Sequence, residues 1–157
     1  MVKWATVKQP ATDEDIKRIE GFVGQKLPKD YVEWVKVYQG SIPGVYINVD
    51  GEPYTFDQLL SVSKEEGDTE DSNHIMGAFR EMYLTDDSDP SLPKGFVPFA
   101  LDGQNKWYCF DYRESNESPS IVLINWEAHY EDGPDYVVTY IRESFRELID
   151  SLFYPST

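Results

Sequence analysis

Phe96-Val97-Pro98-Phe99-Ala100-Leu101-Asp102-Gly103-Gln104-Asn105-Lys106-Trp107-Tyr108-Cys109-Phe110-Asp111 is the stretch that decides the fold. Two runs rich in aromatic and apolar side chains flank a turn that opens on Asp-Gly, a strong local signal for an antiparallel hairpin. Upstream, Gly44 to Val49 runs into Asp50-Gly51, and Tyr54-Thr55-Phe56 follows, which predicts another hairpin. Downstream of a loop around Arg113 to Pro119, Ile121 to Trp126 predicts a further strand. The stretch from Phe56 to Ser61 fits either a short strand or a single helical turn.

Helical patterns frame these strands. Thr12 followed by Asp15 forms a capping-box pattern, and Ile16, Ile19, Phe22 and Val23 then repeat at helical spacing. Gly24 is placed to end that helix in a left-handed turn. Pro28 suits the start of a second helix, where its missing N–H costs nothing. Tyr31, Trp34, Val35 and Tyr38 form the buried face of that helix, and Gly40 stops it. Residues 64–73 are almost wholly polar and predict an exposed loop. A weaker pattern over Ile75 to Tyr83 predicts a short helix.

At the far end, Ile141, Ser144, Phe145, Leu148, Ile149 and Leu152 share one face of a helix expected from about Tyr136 to Leu152. Trp34 and Phe145 are expected in the core. No internal repeat or linker interrupts the chain, so residues 1–157 are expected to form a single α+β domain. Its mainly antiparallel sheet would be covered by helices on one face, with two N-terminal helices and one C-terminal helix.

Composition limits function. The chain is 40% hydrophobic and 15% aromatic, too apolar for a disordered acidic polymer. Its net charge of −15 is concentrated: residues 50–135 hold twenty acidic residues against five basic ones, and the flanking segments are near neutral. Such a field repels nucleic-acid phosphates and anionic lipid, and draws basic partners from a distance. Cys109 is the only cysteine, so no internal disulfide is possible. The start lacks the apolar run of a signal peptide, and no run approaches a membrane span, so a cytoplasmic location is expected.

Catalytic signatures are weak. There is no nucleotide-binding glycine motif and no G-x-S-x-G elbow. Cys109 sits within an aromatic strand, where a thiol usually packs as an inert small hydrophobe. Glu127-Ala128-His129 offers two side chains on one strand face but no further metal ligands, and His74 lies far from His129. Asp86-Asp87-Ser88-Asp89 lacks the full calcium-loop pattern and its closing Glu. Asp111, at a strand end, is better placed to anchor the next loop through backbone N–H groups than to catalyse. No cofactor or metal is expected.

Three segments together resemble a known family. Leu27-Pro28-Lys29-Asp30-Tyr31, closing at Gln39-Gly40, is similar to its "LP.dY…nGG" helix, with Gly40-Ser41 where the family doubles the glycine. Phe96 to Ala100 with Asp102-Gly103 and Tyr108-Cys109-Phe110-Asp111 is similar to its central hairpin. Ser144-Phe145-Arg146-Glu147-Leu148-Ile149 resembles its "SF.efL" helix. In order and spacing they resemble the SUKH superfamily, named partly after fungal cell-wall synthesis regulators of the Smi/Knr type, over nearly the whole chain. The resemblance implies a non-enzyme. Bacterial members are largely immunity proteins that neutralise a toxin made by a neighbouring gene, often a nuclease, whereas fungal members act in signalling and cell-wall regulation. The motifs are mainly structural and carry no binding site across.

The expected function is therefore an immunity protein that occludes the active site of a cognate toxin, a basic nuclease such as an RNase. Binding nucleic acid directly, or a membrane, is not expected. Electrostatic contacts are expected from the loop acids Asp86, Asp87, Asp89, Glu114, Glu117, Glu131 and Asp132. Tyr46, Tyr54, Trp107, Trp126 and Tyr130 are expected as aromatic anchors. One alternative is a regulatory or scaffold module of the cell-wall type. Another is a small hydrolase using a carboxylate pair, which requires a concave pocket containing two acids, at least one with a raised pKa.

Overall fold

A computed structural model describes residues 2–64, 73–86, 88, 91–104, 106–126 and 136–155. The described chain runs α1 Asp13–Val23, α2 Lys29–Tyr38, β1 Val45–Val49, β2 Glu52–Phe56, β3 Gln58–Leu59, α3 Ile75–Tyr83, β4 Phe96–Leu101, β5 Lys106–Asp111, β6 Ser120–Asn125, β7 Val137–Arg142 and α4 Phe145–Ser151. This is the α+β, mainly antiparallel arrangement expected. Strands β3-β4-β5-β6-β7 form an antiparallel meander, and β1 pairs with β2 in a separate hairpin.

Local chemistry explains the elements. The Thr12 hydroxyl accepts the Asp15 N–H at 3.1 Å, and the Asp15 carboxylate accepts the Thr12 N–H at 2.9 Å, closing both ends of the capping box. Gly24, at φ 76°, ends α1. The Asp50-Gly51 turn has φ of 53° and 85°, both positive, and Val49 faces Glu52 across it. That is the twist a two-residue hairpin needs. Of the two readings of Phe56 to Ser61, the strand is found, as β3.

The C-terminal helix expected from Tyr136 is corrected. Val137–Arg142 is a strand paired with β6, and the helix starts only at Phe145. Val137-Val138-Thr139-Tyr140-Ile141 is β-branched apart from one tyrosine, side chains that lose rotamer freedom in a helix and pack well on a sheet. The Ser144 hydroxyl then accepts the Glu147 N–H at 3.2 Å and fixes the true helix start.

Helices α2 and α4 meet one face of the sheet through aromatic rings. Tyr31 lies 5.8 Å from Phe99, 5.0 Å from Phe110 and 5.3 Å from Phe145, and Phe99 stacks on Phe110 at 4.3 Å. Each such ring contributes about 2 kcal/mol on burial, and its edge-to-face pairs add about 1 kcal/mol. Trp34, expected in the core, is half-buried at its margin, whereas Phe145 is fully enclosed.

The reverse sheet face is sealed as well around Trp107, Cys109 and Ile124. Trp107, Trp126 and Tyr136 form an aromatic chain there, and the Tyr136 hydroxyl donates to the Ser91 carbonyl at 3.1 Å. Among the described residues no helix is long and apolar enough to cross a membrane.

Candidate partner-binding surface

The two edges of the five-stranded sheet are treated differently. At β3 the edge is closed: Gly40 donates its N–H to the Leu59 carbonyl at 2.9 Å, and the Leu59 N–H donates to the Ser41 carbonyl at 3.0 Å. At the other edge, β7 pairs with β6 alone among the described strands. Apart from Ile141, every residue of β7 is at least partly exposed, and Tyr140 is 56% exposed.

A groove lies on each face of the sheet beside this edge. On the helix-bearing face a groove of about 360 Å³ is lined by Glu52, Tyr54, Asp102, Lys106 and Thr139. On the reverse face a wider one of about 570 Å³ is lined by Glu114, Val122, Val138, Tyr140 and Glu143, with Asp111 and Arg113 at its end. The split follows from strand alternation: Thr139 faces Leu123 across the sheet, while Val138 and Tyr140 face Ile124 and Val122.

Hydrogen bonds tie down the rims of both grooves. Asp111 accepts the Arg113 backbone N–H at 3.0 Å and two guanidinium N–H groups at 3.0 and 2.9 Å. The same guanidinium lies 4.6 Å over the Phe96 ring, and its hydrogen bonds to Asp111 push its pKa up. Gly95, at φ 113°, permits this approach, since a Cβ there would sit 3.1 Å from Arg113 Cγ. Asp111 is thus the loop anchor expected, and it fixes the backbone that presents Glu114. The Ser115 hydroxyl accepts the N–H groups of Glu117 and Ser118, which turns Glu117 outward. In the other groove Asp102 is buried and accepts the Gln104 and Lys106 N–H groups at 2.8 and 2.9 Å.

The expected contact residues fall into several places. Glu114 and Glu117 share the exposed loop beside the reverse-face groove, and Asp86 is exposed beyond α3. Tyr54 lines the opposite groove. Tyr46 is half-buried with its ring 6.2 Å from Phe153, away from both grooves. Trp107 is 8% exposed, so as placed its ring is a core contact with little surface to offer; Trp126 beside it is half-buried.

Asp87, Asp89, Tyr130, Glu131 and Asp132 lie outside the described residues, as do Glu127 and His129 and most of the polar loop from residue 64 to 73. The stretches so left out hold eleven acids and no Lys or Arg, most of the excess charge. The described exposed carboxylates are spread over several faces, including Glu14 on α1, Glu33 on α2, Glu81 on α3 and Asp150 on α4.

Tyr140 and Glu143, which line the reverse-face groove, fall in the stretch for which the sequence predicts a helix. The signal present was the β-branched run of Val137 to Ile141 read with a period of two. Burial first, then the Glu143 and Glu147 carboxylates, push the Tyr140 phenol up, which marks a negative local field.

Cys109 is fully buried, and burial, with Asp111 adding to it, raises its thiol well above the usual range. Its full burial is the packing position that its place within an aromatic strand predicts. Among the described residues no group of three His, Cys, Asp or Glu side chains is arranged to hold a metal ion. Asp102 and Asp111 each accept N–H donors of the protein itself.

The described residues form an antiparallel meander roofed by helices, an α+β fold with acid-rimmed grooves beside β7. The chain belongs to the SMI1 / KNR4 family (SUKH-1), whose family model matches residues 10–151. Membership carries a family-level role, immunity-like or cell-wall regulatory. No curated protein and no solved structure matches the chain.

Proposed function

We propose that this protein is an immunity protein that binds a cognate toxin domain and occludes its active site, and that the toxin is a basic nuclease such as an RNase. Family membership over residues 10–151 carries the reading, and the net charge of −15 supplies the partner's chemistry. A nuclease needs a cationic groove for phosphates, and a strongly acidic domain fits that groove as a nucleic-acid mimic. Opposite fields raise association rates by about 10–10³-fold. The same reading takes residues 1–157 as one cytoplasmic domain.

Contacts are assigned to Asp86, Asp87, Asp89, Glu114, Glu117, Glu131 and Asp132, with Tyr46, Tyr54, Trp126 and Tyr130 as anchors. Truncating a true anchor to Ala costs at least ~2 kcal/mol of binding. Co-expression with the adjacent gene product tests the function. Rescue of growth and co-purification are expected; unabated killing with no complex in a pull-down would refute it. A cell-wall regulatory role, the other branch of the family, predicts an endogenous partner and no neighbouring toxin gene.

A further inference from the structure

We propose that the open edge of β7 is where the partner docks, by receiving an extended, basic segment of the toxin as an added strand of the sheet. The proposal rests on the immunity reading and names the surface it uses. An unpaired strand edge presents a row of N–H and C=O groups ready to pair with another chain. Here the opposite edge of the same sheet is capped by Gly40 and Ser41, whereas no described strand pairs with the outer side of β7, where the Arg142 guanidinium donates to the Ile141 carbonyl at 2.6 Å. β7 contains no Pro or Lys that would discourage pairing, and Arg142 is its only charge.

Strand alternation makes the two grooves meaningful. Successive side chains of an added strand point to opposite faces of the sheet. One set would reach the groove beside Thr139, Tyr54 and Glu52, and the other set the groove beside Val138, Tyr140 and Glu143. Each groove pairs a tyrosine with carboxylates that form no ion pair within 4 Å among the described residues: Glu52 on one side, Glu114 and Glu143 on the other, with Arg113 close enough to feel the Glu114 charge. Side chains combining an apolar stem and a cationic head, Lys or Arg, match both grooves. A second copy of this chain would bring Glu143 and a net charge of −15 against the same rims, so self-pairing is opposed by repulsion.

Three variants and two probes test this. With the purified adjacent gene product as probe, Tyr140→Ala and the double change Glu114→Lys with Glu143→Lys are each expected to weaken binding by about 10-fold or more. Glu33→Lys, on exposed α2, is expected to change it by less than about 2-fold. Amides of Val137 to Arg142 should gain hydrogen-exchange protection in the wild-type complex. A complex that forms equally well with every variant, or that protects other elements and leaves β7 unchanged, overturns the docking site while the immunity function stands.

If the adjacent gene product does not bind at all, the immunity reading falls, and the seven-residue peptide Val-Lys-Lys-Val-Lys-Lys-Val, which turns lysines to both faces, decides the surface by itself. Amide shifts confined to β7 and its two grooves, abolished by the Glu114→Lys and Glu143→Lys pair, uphold it. No shifts, or shifts elsewhere, overturn it. Thermal melts of each variant separate loss of contact from loss of fold.

Discussion

Tyr31 puts a hydroxyl at the centre of the aromatic core, fully buried and without a hydrogen-bond partner among the described residues. Removing an orphaned polar group relieves a desolvation cost, so Tyr31→Phe is expected to stabilise the fold by about 1 kcal/mol in a urea titration. A loss of stability would mean that the hydroxyl is satisfied. Burial also pushes the phenols of Tyr31, Tyr83, Tyr108 and Tyr112 well above their ordinary value of 10.0. Unfolded tyrosines ionise near that value while these stay protonated. Stability is therefore whole below pH 10 and drains as pH climbs past it, and Tyr31→Phe should flatten that decline. A urea midpoint that holds constant to about pH 11 would contradict it. Gln39 shows the opposite economy. Its carbonyl oxygen accepts the Val62 and Ser63 N–H groups, both at 3.0 Å, and its amide donates to the Gln9 carbonyl at 2.9 Å and to the Ser63 hydroxyl. Gln39→Ala would orphan these groups and is expected to cost about 2–3 kcal/mol. None of this was legible in the sequence, where Gln39 is only the residue before a helix-stopping glycine and its partners come from distant segments.

Elements with self-contained signals were read correctly, and the failure came where two signals overlapped. Thr12 with Asp15, Gly24, and the turns Asp50-Gly51 and Asp102-Gly103 each fix their conformation within a few residues, so α1 and both hairpins could be placed from the chain alone. The stretch from Tyr136 to Leu152 holds a strand and a helix separated by Glu143 and Ser144, and its apolar residues also fit a single helical stripe. Only pairing with β6, a tertiary contact, decides between them. Ser144 is thus a boundary: Ser144→Ala is expected to cost about 1 kcal/mol through loss of the cap. Circular dichroism of the variant should show native strand content; conversion of β7 to helix would contradict this assignment. The same misreading hid Tyr140, and with it the groove that Glu114 rims.

For the whole molecule, charge and shape act over different ranges. The field of −15 works beyond contact, over about 8–10 Å at physiological salt and about 30 Å at 0.01 M, and governs encounter, whereas the grooves and the β7 edge act only on contact. Association with a basic toxin is expected to slow by about tenfold or more between low salt and roughly 0.5 M, with dissociation little changed. An association rate indifferent to salt in stopped-flow mixing would remove electrostatic steering from the account. The acid-rich stretches at 65–72 and 127–135 could be recognised as charged from sequence, but their role depends on where they stand relative to β7, which composition does not encode. Cys109 lies sealed on β5, the middle strand of the sheet. A maleimide or disulfide reagent reaches this lone sulfur only when the sheet parts, so its modification rate is a built-in clock for global breathing. A cysteine engineered anywhere on the surface would accept a fluorophore as the sole fast-reacting site.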